Sequence, residues 1–247
     1  MEATWQTKTV LVTGASSGIG RAIALRLSAE GMRVVACARR TERLAELVQE
    51  ATGEMLVVPA DLRDESAIND VFALARETYG GVDVLVNNAG LGHAAPLMTG
   101  DSEQWREMLE LNVLALCICT REAVTDMRAR GDDGHIIHIS SMAAHRVPAG
   151  SGVYSATKYA VRSLTEGLRQ ELRAANSNIR VTAISPGFVE TEFAGQYHQS
   201  SEAAQRTYGR YKCIQSEEVA DAVWYALTRP AHLQIHDMLM RPTQQKS

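Results

Sequence analysis

Tyr154 and Lys158 stand four residues apart in Tyr154-Ser-Ala-Thr-Lys158, and Ser141 precedes the tyrosine by thirteen residues. A helix predicted over 152–175 puts residues four apart on one face, so the phenol and the ammonium lie side by side. A free tyrosine, with a pKa of about 10, is a poor proton donor or base near neutrality. A neighbouring ammonium favours the phenolate and is expected to lower that pKa. The pair is then a candidate general acid–base. Tyr-x-x-x-Lys is also an ordinary feature of an amphipathic helix, so the reading depends on what surrounds it.

A second stretch with chemical content is Gly14-Ala-Ser-Ser-Gly18-Ile-Gly20, between an apolar run and an amphipathic one. Glycines in a strand-to-helix turn let the backbone approach a pyrophosphate, and the helix start offers free N–H groups and a positive dipole end. Gly14, Ser16, Ser17, Gly18, Ile19 and Gly20 are therefore candidate dinucleotide-binding residues. The spacing is G-x-x-x-G-x-G and not the more familiar G-x-G-x-x-G. NAD sites place an acid about 20 residues further on for the ribose hydroxyls. Here Ala38 occupies that point, followed by Arg39 and Arg40. Guanidiniums pair with a 2′-phosphate that a carboxylate would repel, so NADP is the expected cofactor.

Both stretches need rigid elements behind them. Short apolar, β-branched runs at 9–13, 32–38, 55–59, 82–86, 135–139 and 179–184 read as buried strands, and a last apolar segment covers 233–240. Helical periodicity covers 21–30, 42–52, 64–79, 105–130, 152–175 and 217–227. The polar stretch from about 190 to 215 has no strong period. Strict alternation predicts an α/β fold: a single-domain, Rossmann-type, doubly wound parallel sheet of about seven strands with helices on both faces. Residues 1–247 read as one domain, with the dinucleotide at the carboxyl ends of the strands.

The bulk properties narrow the function. The 247 residues are 45% hydrophobic and 22% charged, with a net charge of -4. Nothing suggests a nucleic-acid surface. No apolar run is long enough for a membrane span, and Met1 to Lys8 carry no signal-like pattern. Cys37, Cys117, Cys119 and Cys213 show neither C-x-x-C nor zinc-ligand spacing, so no metal is expected and the thiols read as reduced, in a cytoplasmic protein.

The chain resembles the short-chain dehydrogenase/reductase family over almost its whole length. The resemblance rests on Thr13-Gly-Ala-Ser-Ser-Gly-Ile-Gly20, Asp61-Leu62, Asn87-Asn-Ala-Gly90, Asn112, Ser141, Tyr154-x-x-x-Lys158, Pro186-Gly187 and Thr191, in that order. It implies that Asp61 and Leu62 flank the adenine, that Asn88 lies along the cofactor, and that Val189 and Thr191 hold the carboxamide. It also implies a catalytic set of Asn112, Ser141, Tyr154 and Lys158. Segments such as His145-Arg-Val147 and Leu164-Thr-Glu-Gly-Leu-Arg-Gln-Glu-Leu172 resemble a branch that holds NADP-dependent carbonyl reductases, keto-steroid reductases and farnesol dehydrogenases.

The expected activity is thus hydride transfer between NADP(H) and a ketone or aldehyde, giving an alcohol. The alternatives are farnesol-type alcohol oxidation or a non-catalytic NADP-binding sensor. Ser140 competes with Ser141 as the reactive hydroxyl, and the family's spacing points to Ser141. Asn112 reads equally as a water-binding relay residue or a buried amide. His138 and His145 are expected to be structural or substrate-lining. The stretch 188–212 is read as a substrate lid. Relatives imply a homodimer or homotetramer, although Val161, Leu164 and Leu168 would also suit the chain's own core.

Overall fold

Alternate residues of each strand leave the sheet on opposite sides, because a strand's side chains repeat every two residues. Val10, Val12, Val34, Ala36, Val84 and Val86 join one fully buried cluster with Ile23, Leu27, Leu44, Leu47, Val219 and Val223. Leu11, Val35, Leu85, Ile136 and Val181 join the other with Ile68, Phe72, Ala123 and Met127. Continuous apolar strands of this kind demand cover on both faces, and helices provide it. The computed structural model describes residues 5–245. The reading of the first residues as lacking a signal falls partly on 1–4, outside the described residues.

The strands are β1 (Thr9–Thr13), β2 (Arg33–Ala38), β3 (Met55–Pro59), β4 (Val84–Asn87), β5 (His135–Ile139), β6 (Arg180–Pro186) and β7 (Asp237–Met240). They form one parallel sheet in the order β3-β2-β1-β4-β5-β6-β7. Helices α1 (Gly18–Ala29) and α2 (Thr41–Glu50) follow the first two strands, and α3 (Glu65–Tyr79) follows the third. Asp64 starts α3 by accepting from the Ser66 N–H, and Gly80 ends it in the left-handed region, the two ends such residues favour.

The helix expected over 105–130 is longer and interrupted. It runs as α4 (Ser102–Leu109), a π-helical turn (Glu110–Leu114) and α5 (Ala115–Ala129). A π-turn inserts one residue and rotates the side chains around it, and such turns favour functional positions. Asn112 stands inside this one. The 23-residue α6 (Gly152–Ala174) carries Tyr154 and Lys158.

The aperiodic stretch after β6 is not irregular. It forms two short helices, α7 (Phe193–His198) and α8 (Ser201–Tyr208), before α9 (Ser216–Leu227). Each is too short for helical periodicity to register in its sequence. Ser200 caps α8 by accepting from the Ala203 N–H.

Val161 is fully buried in the chain's own core, and Leu168 packs against that core. The exposed apolar residues along these helices are instead Leu109, Leu114 and Tyr159, at 50%, 54% and 40% exposure. Cys37, Cys119 and Cys213 are buried free thiols, and Cys117 is half-buried. Among the described residues no helix is long and apolar enough to cross a membrane.

Candidate active site

A cleft of about 880 Å3 opens at the carboxyl ends of the strands. The strand order reverses between β1 and β4, the switch point where such sheets bind ligands.

Gly14, Ser16, Ser17, Gly18 and Ile19 line one end of the cleft. Gly18 has φ +53°, which a residue with a side chain seldom adopts. Gly20 does not line the cleft. A Cβ there would lie 2.3 Å from Asn88 Nδ2 and 2.5 Å from the Gly14 carbonyl oxygen. This glycine lets α1 pack against the turn. Ser17, at the N-cap of α1, makes no side-chain cap, so the first N–H groups of the helix keep their capacity for an anion. Asn88 donates its amide to the Thr13 and Gly14 carbonyls at 2.8 and 3.3 Å, tying β4 to the glycine turn.

Arg39 and Arg40 differ. Arg40 donates to Ser16 Oγ at 3.2 Å, Ser17 Oγ at 2.6 Å and Glu192 at 2.8 Å. Arg43 reaches the same carboxylate at 3.3 Å. The Arg40 hydrogen bond, with the charges of both arginines, holds the Glu192 carboxyl below its usual range. Exposed Arg39 has no hydrogen bond or ion pair among the described residues. Of the two arginines, then, only Arg39 lacks a direct partner, although its charge helps to lower the nearby Asp61 carboxyl. Asp61 and Leu62 line the cleft nearby. Arg63 grips the Asp61 carboxylate at 2.7 Å and lowers its pKa. The glycine turn, the uncapped helix start, the absent acid at Ala38 and the free Arg39 together fit a phosphate-bearing dinucleotide.

At the other end, α6 brings Tyr154 and Lys158 together as its spacing predicts. Ser141, and not Ser140, hydrogen-bonds the phenol. Ser141 is held at the start of a short 3-10 turn, where its hydroxyl accepts from the Ala143 N–H at 3.0 Å. Lys158 is buried and donates to the Ile139 carbonyl at 3.1 Å, with Nζ 6.0 Å from the Tyr154 ring centroid.

The expected fall in the tyrosine pKa does not occur. Burial pushes the Tyr154 phenol up to about 12 against the opposing Ser141 hydrogen bond. Burial also brings the Lys158 ammonium down to about 8. Each group is pushed toward neutrality because desolvation penalises the charged form. The ammonium is held on a backbone carbonyl, and the group that draws the phenol down is Ser141, not Lys158.

Asn112 is buried and lies outside the cleft lining. Its side chain accepts from the Leu91 N–H at 2.8 Å and donates to the Leu91 carbonyl at 2.8 Å and Thr157 Oγ1 at 3.1 Å. A Cβ on Gly90 would lie 3.2 Å from Asn112 Oδ1 and 3.6 Å from Lys158 Nζ. Gly90 thus separates the amide from the ammonium. Val189 and Thr191 line the cleft, and a Cβ on Gly18 would meet Thr191 Cγ2 at 3.0 Å. The segment after β6 therefore closes down on the glycine turn.

The sequence places Phe193 and Tyr197 only within the expected lid and gives neither a contact with Tyr154. Phe193 and Tyr197 of α7 approach its ring, at centroid distances of 5.5 and 6.1 Å. Gly92 makes room for them, since a Cβ there would lie 2.8 Å from both and 3.0 Å from Tyr154. Gln245 accepts from the Phe188 N–H at 3.1 Å and anchors the start of the 188–212 segment. The one sequence signal for this group was the position of that segment just after Pro186-Gly187. His138 is structural, bonded to Thr165 Oγ1 at 2.9 Å and Thr120 Oγ1 at 3.3 Å. His145 stands 3.0 Å from Asp237 and does not line the cleft. Among the described residues no cluster of metal-ligating side chains forms.

The short chain dehydrogenase profile matches residues 8–202. The chain belongs to the short-chain dehydrogenase family. This short-chain dehydrogenase is 50% identical over 250 residues to dehydrogenase/reductase SDR family member 11 of Bos taurus, covering 98% of each chain. It is 41% identical to the farnesol dehydrogenase of Aedes aegypti, also covering 98% of each. The closed form of serine dehydrogenase complexed with NADP+ superposes with a TM-score of 0.92 at 37% identity, covering 97% of this chain and 96% of that one. A family member from Burkholderia phymatum in complex with NAD superposes at 0.87 and 26% identity, covering 96% and 89%. These likenesses make the protein an oxidoreductase of the short-chain dehydrogenase type.

Proposed function

We propose that the protein is an NADP(H)-dependent carbonyl reductase that interconverts a ketone or aldehyde and an alcohol. The observation that carries this reading is the Ser141–Tyr154 hydrogen bond beside buried Lys158 in a cleft that also holds the glycine turn. The dinucleotide would supply the hydride. Tyr154, protonated well above neutrality, holds the proton that a reduced carbonyl oxygen needs. Ser141 orients the phenol and offers a hydroxyl to the same oxygen as negative charge develops. Lys158 supplies a buried positive charge that titrates near working pH. Asn112 acts by position, holding the Leu91 loop beside Lys158.

Arg39, Arg40 and Ser16 would hold the 2′-phosphate, and Gly14 to Ile19 the pyrophosphate. Asp61 and Leu62 would flank the adenine, with Asn88, Val189 and Thr191 along the nicotinamide side. Residues 188–212 would serve as the lid. The farnesol-type oxidation draws support from the aromatic pair Phe193 and Tyr197 above Tyr154. The test is oxidation of NADPH and NADH with a panel of carbonyls, and reduction of both oxidised cofactors with alcohols. Turnover with NADPH and a ketone or aldehyde supports the reading, and inertness toward every pair would overturn it. Exposed Leu109, Leu114 and Tyr159 favour self-association as a dimer or tetramer. A monomer in light scattering at micromolar concentration would exclude it.

A further inference from the structure

The cleft's charges are unevenly placed. Its two acidic lining residues are Asp61 and Glu192, both toward the dinucleotide end and both engaged by arginines. Two further arginines line the cleft, Arg146 and Arg210. Arg146 follows Ser141 on the same loop, and Arg210 closes the helical segment after β6. Neither has a hydrogen bond or ion pair among the described residues, and the Arg146 Nε is buried without any partner.

That arrangement is costly. A buried N–H of a charged group with no acceptor forfeits its hydration without replacement. An exposed arginine alone would be an ordinary solvated charge, and Arg210 taken singly is one. The two are close enough to act on one group. Burial raises the Tyr211 phenol, and the charges of Arg210 and Arg146 both oppose that rise. Two like charges converge on the cleft with no acid between them.

Resting on the reductase reading above, we propose that Arg146 and Arg210 bind an anionic group of the substrate, so that the preferred substrate is an oxo acid reduced to a hydroxy acid. Hydride adds to the carbonyl carbon, a proton adds to its oxygen, and the carboxylate leaves unchanged. Guanidiniums suit a carboxylate because their N–H groups match its two oxygens. The arginines come from different elements, one from the Ser141 loop and one from the segment above it. A carboxylate bridging them would draw that segment onto the bound substrate. The serine dehydrogenase that superposes at a TM-score of 0.92 is named for a substrate with a carboxylate.

The experiment compares benzoylformate, benzoylpropionate and benzoylbutyrate with their methyl esters, using NADPH. At least one acid is expected to exceed its ester in kcat/KM by about 10–100-fold, the effect of one charge-assisted hydrogen bond. Arg146→Gln and Arg210→Gln should each pull that acid-to-ester ratio toward one, and Arg146→Lys should keep much of it. Calorimetric titration of the NADP+-loaded protein should show the acid binding more tightly than the ester, with the advantage reduced in Arg146→Gln. Esters turned over as well as acids, or a ratio that survives both Gln substitutions, would overturn the proposal. If no carbonyl is reduced at all, the reductase reading falls, and the titration still decides whether the arginines select an anion.

Discussion

The dinucleotide end of the cleft is assembled from neighbours in sequence, and its side chains are largely paired with one another. Gly14 to Gly20 and Ala38 to Arg40 belong to one β–α–β unit, and Ser16, Ser17 and Arg40 bond among themselves and with Glu192. The substrate end draws Gly92, Ser141, Arg146, Tyr154, Phe193 and Gln245 from widely separated segments. Its groups are under-solvated: a phenol raised to about 12, an ammonium lowered to about 8, and an arginine with a buried, unpartnered N–H. Perturbed groups that line a cleft are those a reaction can draw on, so the proposed chemistry belongs at this end. Stability is given up at the substrate end and kept at the dinucleotide end.

The largest test of that contrast is Tyr154→Phe. It removes the proposed proton donor and should cut turnover by at least about 100-fold, while NADPH affinity by fluorescence titration stays near that of the unmodified protein. Near-normal turnover would break the assignment of chemistry to this end.

At the dinucleotide end, Arg39→Ala should weaken NADP by about 10–100-fold and hardly change NAD, since one charge-assisted hydrogen bond is lost. Ala38→Asp should reverse the preference. The measurement is kcat/KM for both cofactors on one carbonyl. Equal values in the unmodified protein would mean that Arg39 is only a solvated charge at the end of β2.

The last effect is on stability and leaves the chemistry aside. Lys158 is lowered from 10.5 to about 8 by burial. Below pH 8 both the folded and unfolded chains hold the proton, and the cost of the buried charge, on the order of 3 kcal/mol, is fully present. Between about 8 and 10.5 the unfolded chain binds more protons, so stability contributed by this group rises with pH and levels off above that window. Lys158→Met removes that cost and should raise Tm at pH 7 by about 6–12 °C, at about 2–4 °C per kcal/mol. The advantage should shrink by pH 10. Calorimetry that shows a lower Tm at pH 7 would mean that the Ile139 hydrogen bond outweighs desolvation.

The amino-acid sequence by itself determined the parallel sheet, the glycine turn, the missing acid at Ala38, and the shared face of Tyr154 and Lys158. Each is a local pattern: alternating strands and helices, a tight turn before a helix, a spacing of four. Tertiary structure alone decided the protonation of the pair, because desolvation depends on what covers a residue. Over Tyr154, Phe193 and Tyr197 of α7 do that, with Gly92 leaving them space. It also set the unequal roles of Arg39 and Arg40, since Glu192 lies far along the chain from both. The π-turn around Asn112 was illegible for the same reason. One inserted residue shifts the apolar stripe by a single step, which does not stand out from the ordinary scatter of the pattern, and the pairing of Asn112 with Leu91 exists only once the β4 loop has folded against it.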